Sequence, residues 1–271
     1  MTYETITVER QDGITTVTLN RPEKRNAMSP QMHREMSAVL EELELDDETR
    51  VLVITGAGDA FCAGQDLDKY FHDHKDKPRE MERIRKLSNE WRGAKLRLFP
   101  KPTIAAVNGW CFGGAFTTVA ACDLAVAAEE AIFGLSEINF GVFPGGLVTK
   151  AVTDLLRTRD ALYYILTGDQ FDGRRAAEIG LVNYAVPRQQ LMAEVHGLAR
   201  KLAEKNPLSL KAAKEVYKLG KSMGWDEAFA WAIAKINELT LLQKGEWMEQ
   251  GVGQFRGKQY KPGLGAYKKK G

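Results

Sequence analysis

Only three cysteines occur in 271 residues, at positions 62, 111 and 122, and no two are spaced as Cys-x-x-Cys. An odd, scattered set excludes a disulfide framework and predicts reduced thiols in the cytosol. Each thiol reads as a small buried apolar residue. Nine prolines and 25 glycines without periodicity exclude collagenous and low-complexity chains. Neither sign of charge dominates, since 38 Lys+Arg stand against 36 Asp+Glu and leave +2. That balance argues against a dedicated nucleic-acid binder. No stretch reaches the roughly 18–20 uninterrupted apolar residues of a membrane span, and the most apolar region, 119–135, is broken by Asp123, Glu129 and Glu130. The first residues, Met-Thr-Tyr-Glu-Thr, lack a basic segment followed by an apolar one, so no signal peptide and a cytoplasmic location are expected. G-x-G-x-x-G and G-x-x-x-x-G-K-[ST], the phosphate-cradling fingerprints, are also missing.

What remains is a chain with 44% hydrophobic residues, long enough for one large domain or a large domain with a small appendage. Ile6 and Val8, the turn Gln11-Asp12-Gly13, and Ile14, Val17 and Leu19 read as a hairpin. Met32 to Leu43 has helical spacing, with Met36, Leu40 and Leu43 on one face. The continuous apolar runs 51–54, 103–107 and 124–128 read as strands buried on both faces, with a short strand at Ile132-Phe133. Helices between them make the middle of the chain α/β. After Pro187 three helices follow without strands, over 190–205, 207–219 and 225–242. Pro207 suits a first helical turn, where its missing N–H would be unpaired anyway. In the last helix Phe229, Ile233, Ile236 and Thr240 recur every three or four residues, as in an appendage that packs on its own core or a neighbouring subunit. The division is therefore drawn as a core over 1–187 and a helical region over 188–271. Lys268-Lys269-Lys270 reads as a solvated tail.

Two segments stand apart from this scaffold: Gly58 to Leu67, and Asn108 to Phe116 with Gly113-Gly114 inside it. Each follows a buried strand and precedes a helical pattern. Backbone N–H groups at such a turn lack intrahelical partners and feel the positive end of the helix dipole. Singly, each loop reads as structural, and Gly113-Gly114 as a means of close helix–strand packing. Side by side, two such turns point two donors at one oxygen, and an acidic residue, Glu137, follows them.

In this order the motifs resemble those of the crotonase (enoyl-CoA hydratase/isomerase) superfamily. They are Asn20 to Met28, Ala63-Gly64-Gln65-Asp66-Leu67, Lys101-Pro102-Thr103-Ile104, Asn108-Gly109…Gly113-Gly114, Cys122-Asp123-Leu124-Ala125 and Phe133 to Ile138. The resemblance runs from Asn20 to about Asn183 and is weaker in the helical tail. It implies a spiral of ββα units, a C-terminal helical region that completes a homotrimer or homohexamer and closes the active site, and acyl-CoA thioester substrates. It implies an oxyanion hole made by the backbone N–H groups of Gln65 and Gly114, and coenzyme A contacts at Lys24, Ala27, Ala63, Asp66 and Leu67. Coenzyme A enters as part of the substrate; no metal or other cofactor, nucleic acid or membrane is expected as a partner.

Simple enoyl-CoA hydration in this family uses two glutamates. Here Glu137 stands at one place and Thr117 at the other, and a threonine hydroxyl holds a water but is no base near neutrality. One glutamate fits double-bond isomerisation, hydrolysis, and the hydratase-lyase reaction on hydroxycinnamoyl thioesters. The segments 108–117, 133–141, 162–168, 68–71 and the ending Lys261-Pro262-Gly263-Leu264 are similar to the hydroxycinnamoyl-CoA (feruloyl-CoA) hydratase-lyase group. That resemblance implies hydration followed by retro-aldol cleavage to an aromatic aldehyde of the vanillin type and acetyl-CoA. Tyr70 falls where the group binds the substrate's phenol, with Trp110 and Phe140 as further substrate contacts. The chain departs from the group at Gln65, where Met is general, and at Ile233, where a second phenol-binding tyrosine aligns. An enoyl-CoA hydratase or isomerase for aliphatic chains is the second reading. A catalytically silent oligomeric or RNA-binding relative is the third; it requires a missing acid–base residue or a strongly basic helix, whereas Glu137 is present and 73–77 mixes signs.

Overall fold

The computed structural model describes residues 3–260; the ending Lys261-Pro262-Gly263-Leu264 and the terminal lysines lie outside the described residues. Strands β1 (Ile6–Gln11) and β2 (Ile14–Leu19) form the expected antiparallel hairpin. Helix α1 (Pro30–Leu45) begins two residues earlier than its apolar spacing indicates, because Ser29 caps it: Ser29 Oγ accepts from Met32 N at 3.2 Å and Pro30 takes the first turn. Then come β3 (Val51–Gly56), β4 (Ala60–Cys62), α2 (Pro78–Glu90), β5 (Thr103–Val107), β6 (Trp110–Phe112), α3 (Ala115–Ala121), β7 (Leu124–Ala128) and β8 (Ile132–Gly134). After α4 (Val148–Leu155) and α5 (Thr158–Thr167), β9 (Gln170–Asp172), α6 (Gly173–Glu178), β10 (Tyr184–Val186) and α7 (Leu191–Ala203) complete the first part.

A six-stranded sheet runs β1-β2-β3-β5-β7-β10, and all its pairs except the hairpin are parallel. A second sheet runs β4-β6-β8-β9. Each of the pairs β3/β4, β5/β6 and β7/β8 contributes one strand to each sheet and is followed by helix, which is the ββα spiral the resemblance implies. The short strands β4 and β6 lie inside the two segments read from sequence as loops. Three residues are too few to display an alternating pattern, and these strands exist only through pairing with one another and with β8. The long parallel strands are apolar throughout because both faces are covered: β3 and β5 are buried at every residue.

The chain divides into two compact units at Leu202/Ala203, so α7 belongs to the first. Its buried Leu191, Val195 and Ala199 recur at four-residue spacing. In the second unit, α8 (Pro207–Gly220) and α9 (Trp225–Leu242) lie against each other. Gln243 Nε2 donates to Asn206 Oδ1 at 3.0 Å and Ser209 Oγ at 3.1 Å, which ties the end of α9 to the cap of α8. Phe229, Ile233 and Ile236 are exposed on α9, together with Trp225. Among the described residues no helix is long and apolar enough to cross a membrane.

Candidate active site

The segment 20–28 is the scaffold of the first loop. Asn26 accepts from Arg21 N and donates to the carbonyls of Ala57 and Ala60. Arg21 Nη1 donates to Ala27 O at 2.6 Å and pairs with Asp66 Oδ2 at 2.8 Å. Met28 N donates to Gly64 O, Asp66 N to Met28 O, and Ala63 N to Arg25 O. Ala27, Ala63, Asp66 and Leu67 are thereby brought side by side. Asp66 also caps the single wide turn Leu67–Phe71 through Asp68 N and Lys69 N. Burial opposes ionisation of Asp66, but these bonds and the Arg21 guanidinium hold its pKa below the usual carboxylate range. Lys24 is exposed and stands 3.9 Å from Asp68.

A regular helix was expected after this loop; two short turns, Leu67–Phe71 and His72–His74, follow instead, and α2 begins only at Pro78. The dipole argument therefore has no helix to act through at Gln65. What the first loop supplies is a rigid N–H. Gly64 has φ +92°, and a Cβ there would stand 2.9 Å from Phe112 O and 3.5 Å from Gly114 N. The two loops are pressed backbone to backbone, and only glycine permits it. The N–H groups of Gln65 and Gly114 donate to no protein acceptor among the described residues.

Glu137 reaches this place from the other side. Pairing of β6 with β8 sets Phe112 opposite Gly134, and Gly113 N donates to Gly134 O at 3.1 Å. The 3₁₀ turn Ser136–Phe140 follows directly and carries Glu137 over the glycines. Gly113 has φ +49°, and a Cβ on it would meet Glu137 Oε1 at 2.8 Å. Among the described residues, Glu137 Oε2 is buried without a hydrogen-bond partner and no cation pairs with the carboxylate. Burial pushes its pKa above the ordinary value. Thr117, three residues after Gly114 on α3, has a buried hydroxyl with no hydrogen-bond partner among the described residues.

Tyr70 sits in the turn Leu67–Phe71, 5% exposed, among Met81, Ile84 and the edge of His33. Trp110 lies under the Arg25 guanidinium at 4.5 Å and stacks on Phe112. Phe140, at the end of the Glu137 turn, is exposed. Ile233 lies in the second unit, exposed on α9. The three cysteines are buried and form no disulfide, and burial raises the pKa of Cys62 to about 11, far from a nucleophile's range.

One group of residues escapes the sequence reading. His33 Nε2 and Gln65 Oε1 are 2.8 Å apart, and Trp91 Nε1 donates to His33 Nδ1 at 2.9 Å. An indole N–H only donates, so the neutral imidazole carries its proton on Nε2 and gives it to Gln65. Gln65 Nε2 donates to Ser88 Oγ, and Arg92 reaches Ser88 and the Gly114 carbonyl. The signal was a polar residue on a core-facing stripe: Met81, Ile84, Ser88, Trp91 and Arg92 follow helical spacing and all are buried.

His33 makes the stability of the fold depend on pH. It is fully buried, and burial, with the Arg92 charge next, lowers its pKa from 6.5 to about 3. Between those values the unfolded chain takes up a proton that the folded chain refuses. Stability present above pH 6.5 is therefore lost as pH falls toward 3, by roughly 1 kcal/mol per pH unit. His33→Asn, which has no titrating ring, should flatten that part of the melting-temperature profile. An unchanged acid slope in the variant would assign the loss to other groups.

Two converging glycine loops whose N–H groups meet no protein acceptor among the described residues lie beside the half-buried Glu137 carboxyl on a ββα spiral, an arrangement of the crotonase type. The enoyl-CoA hydratase/isomerase family model matches residues 9–258, and the chain belongs to that family. It is 51% identical over 269 residues, 98% of each chain, to a hydroxycinnamoyl-CoA hydratase-lyase of Pseudomonas fluorescens. Its fold matches the crystal structure of an enoyl-CoA hydratase of Bacillus anthracis with a TM-score of 0.85 at 28% identity, covering 94% of this chain and 97% of that one. An enoyl-CoA hydratase of Mycobacterium smegmatis matches at TM-score 0.85 and 27% identity, with 94% and 97% covered.

Proposed function

We propose that this chain hydrates a 4-hydroxycinnamoyl- or feruloyl-type coenzyme A thioester and then cleaves the product to an aromatic aldehyde and acetyl-CoA. The observation that carries the reading is the single unpaired Glu137 carboxyl over the Gly113-Gly114 loop, joined to near-full-length similarity to a relative of that activity. The N–H groups of Gln65 and Gly114 receive the thioester oxygen. They bind it more strongly as charge develops there, which accelerates the reaction rather than only binding substrate.

Glu137, as carboxylate, takes a proton from water while the water oxygen bonds to the β-carbon and the double-bond electrons pass to the thioester oxygen. The acid so formed returns the proton to the α-carbon. In the second half Glu137 removes the β-hydroxyl proton, the Cα–Cβ bond breaks, the aldehyde forms, and the acetyl thioester enolate occupies the same donors. Its protonation by Glu137 gives acetyl-CoA and restores the carboxylate. Thr117 holds the water, and Tyr70 engages the ring hydroxyl, which feeds electrons toward the β-carbon. Lys24, Ala27, Ala63, Asp66 and Leu67 form the coenzyme A side of the site, and Trp110 and Phe140 border the substrate. The exposed apolar residues of α9, Trp225, Phe229, Ile233 and Ile236, support a homotrimer or a pair of trimers. We place the protein in the cytoplasm, with coenzyme A supplied as part of the substrate.

Feruloyl-CoA and crotonyl-CoA, incubated separately with the purified protein, test the reading. Equimolar vanillin and acetyl-CoA from the first are expected. Hydration or isomerisation of the second without any aldehyde from the first would favour an aliphatic enoyl-CoA enzyme. Tyr70→Phe should lower kcat/KM for the phenolic thioester by about tenfold, the value of one hydrogen bond. An equal loss on crotonyl-CoA would contradict its role.

A further inference from the structure

Arg92 is 3% exposed, and among the described residues no carboxylate pairs with it. An unpaired guanidinium inside a protein is strongly unfavourable unless something local needs it. Desolvation lowers its pKa only to about 10, so it stays charged. It lies in the wide helical turn Trp91–Leu96 that continues α2, and local widening of this kind exposes backbone carbonyls and reorients side chains. Its bonds are specific: Nε donates to Ser88 O at 2.9 Å, Nη2 to Ser88 Oγ at 2.5 Å and Nη1 to Gly114 O at 2.8 Å. Ser88 Oγ also accepts from Gln65 Nε2 at 3.1 Å.

The two residues whose N–H groups form the oxyanion hole are therefore tied to one guanidinium: Gly114 by its carbonyl, Gln65 by its side chain through Ser88. On its other side Gln65 is held by His33 and Trp91. A methionine at position 65 could make none of these bonds, so the glutamine that departs from the hydratase-lyase pattern is what connects the loops to the cation.

We propose that Arg92 is a positioning residue for the oxyanion hole. It fixes the Gly114 peptide against the Gln65 loop and places a permanent positive charge behind the enolate oxygen. This rests on the enolate chemistry proposed above. Because the thioester is neutral in the ground state and anionic as enolate, losing the charge should affect turnover and not binding.

Arg92→Met is expected to lower kcat for aldehyde release by about tenfold to a hundredfold, with KM within about threefold. Exchange of the acetyl-CoA methyl protons with deuterated solvent reports enolate formation alone, without any aromatic substrate, and should fall in parallel. Arg92→Lys keeps the charge but cannot bridge Ser88 and Gly114, and should recover part of the rate. If Arg92→Met fails to fold, Ser88→Ala decides: it removes the shared acceptor, and about a fivefold to tenfold loss in kcat and exchange at unchanged KM is expected. Wild-type activity with unaltered kcat and exchange in Arg92→Met, or in a folded Ser88→Ala, would overturn the inference alone. A rise in KM at constant kcat would do the same. A wild-type chain that neither cleaves the thioester nor exchanges acetyl-CoA protons would remove the enolate reading, and this inference with it.

Discussion

Replacing Glu137 by glutamine is expected to lower turnover of the hydroxycinnamoyl thioester by about 10²–10⁴-fold while thioester affinity stays within a few-fold. The carboxyl has no protein partner on Oε2 and no paired cation among the described residues, so its removal leaves no uncompensated charge. The loss should be one of chemistry and not of fold, and an unchanged melting temperature is the control. The pH profile gives a second reading of the same group. Glu137 must begin each half-reaction ionised, and burial raises its pKa above 4.5. The rate should therefore fall as pH drops through a value above the ordinary glutamate range, and that limb should vanish with the residual activity of the glutamine variant. Full activity in the variant would mean that another group moves the proton.

Gly113→Ala is expected to have the second-largest effect, about a hundredfold in kcat. Two costs coincide there. The backbone is left-handed at φ +49°, where a side chain is strained, and the added methyl would stand 2.8 Å from Glu137 Oε1. Relief requires the carboxylate to move, and a shift of one ångström at a reacting group is enough for a loss of this order. Coenzyme A binding should change little, since the methyl faces Glu137 and not the 20–28 scaffold. A kcat within about threefold of wild type would show that the carboxylate has room to move and that its placement by Gly113 is not required.

The alternation of parallel strands and helices was legible because strands buried on both faces are apolar throughout, as at 51–54, 103–107 and 124–128. The three C-terminal helices were legible from 3.6-residue spacing and from Pro207 at a first turn. β4 and β6 were not, because a three-residue strand has no period to detect and is defined only by its neighbours. The two glycine loops and Glu137 were legible as a constellation through their family motifs; composition and spacing alone left each loop structural. The contact of Gly64 with Phe112 O, and of Gly113 with Glu137, is a property of the folded sheets. Of the His33–Gln65–Ser88–Arg92 network only one trace was legible, the polar Ser88 and Arg92 on the apolar stripe of 81–92; how its members pair was not. Its members sit on three separate segments, and a buried arginine without an acid looks in sequence like any helix-surface arginine.

In the proposed mechanism one pair of backbone donors holds the same thioester enolate twice, once in hydration and once in cleavage. Turnover of feruloyl-CoA in deuterium oxide tests it directly, with mass spectrometry of the acetyl-CoA released. Hydration places one solvent deuteron on the α-carbon beside the original vinyl hydrogen. Cleavage regenerates an enolate at that carbon, and its protonation adds a second. Two deuterium atoms in the acetyl methyl group, formed in step with the aldehyde, are expected. Acetyl-CoA carrying one deuterium or none would contradict it, because one half of the reaction would then have bypassed the enolate.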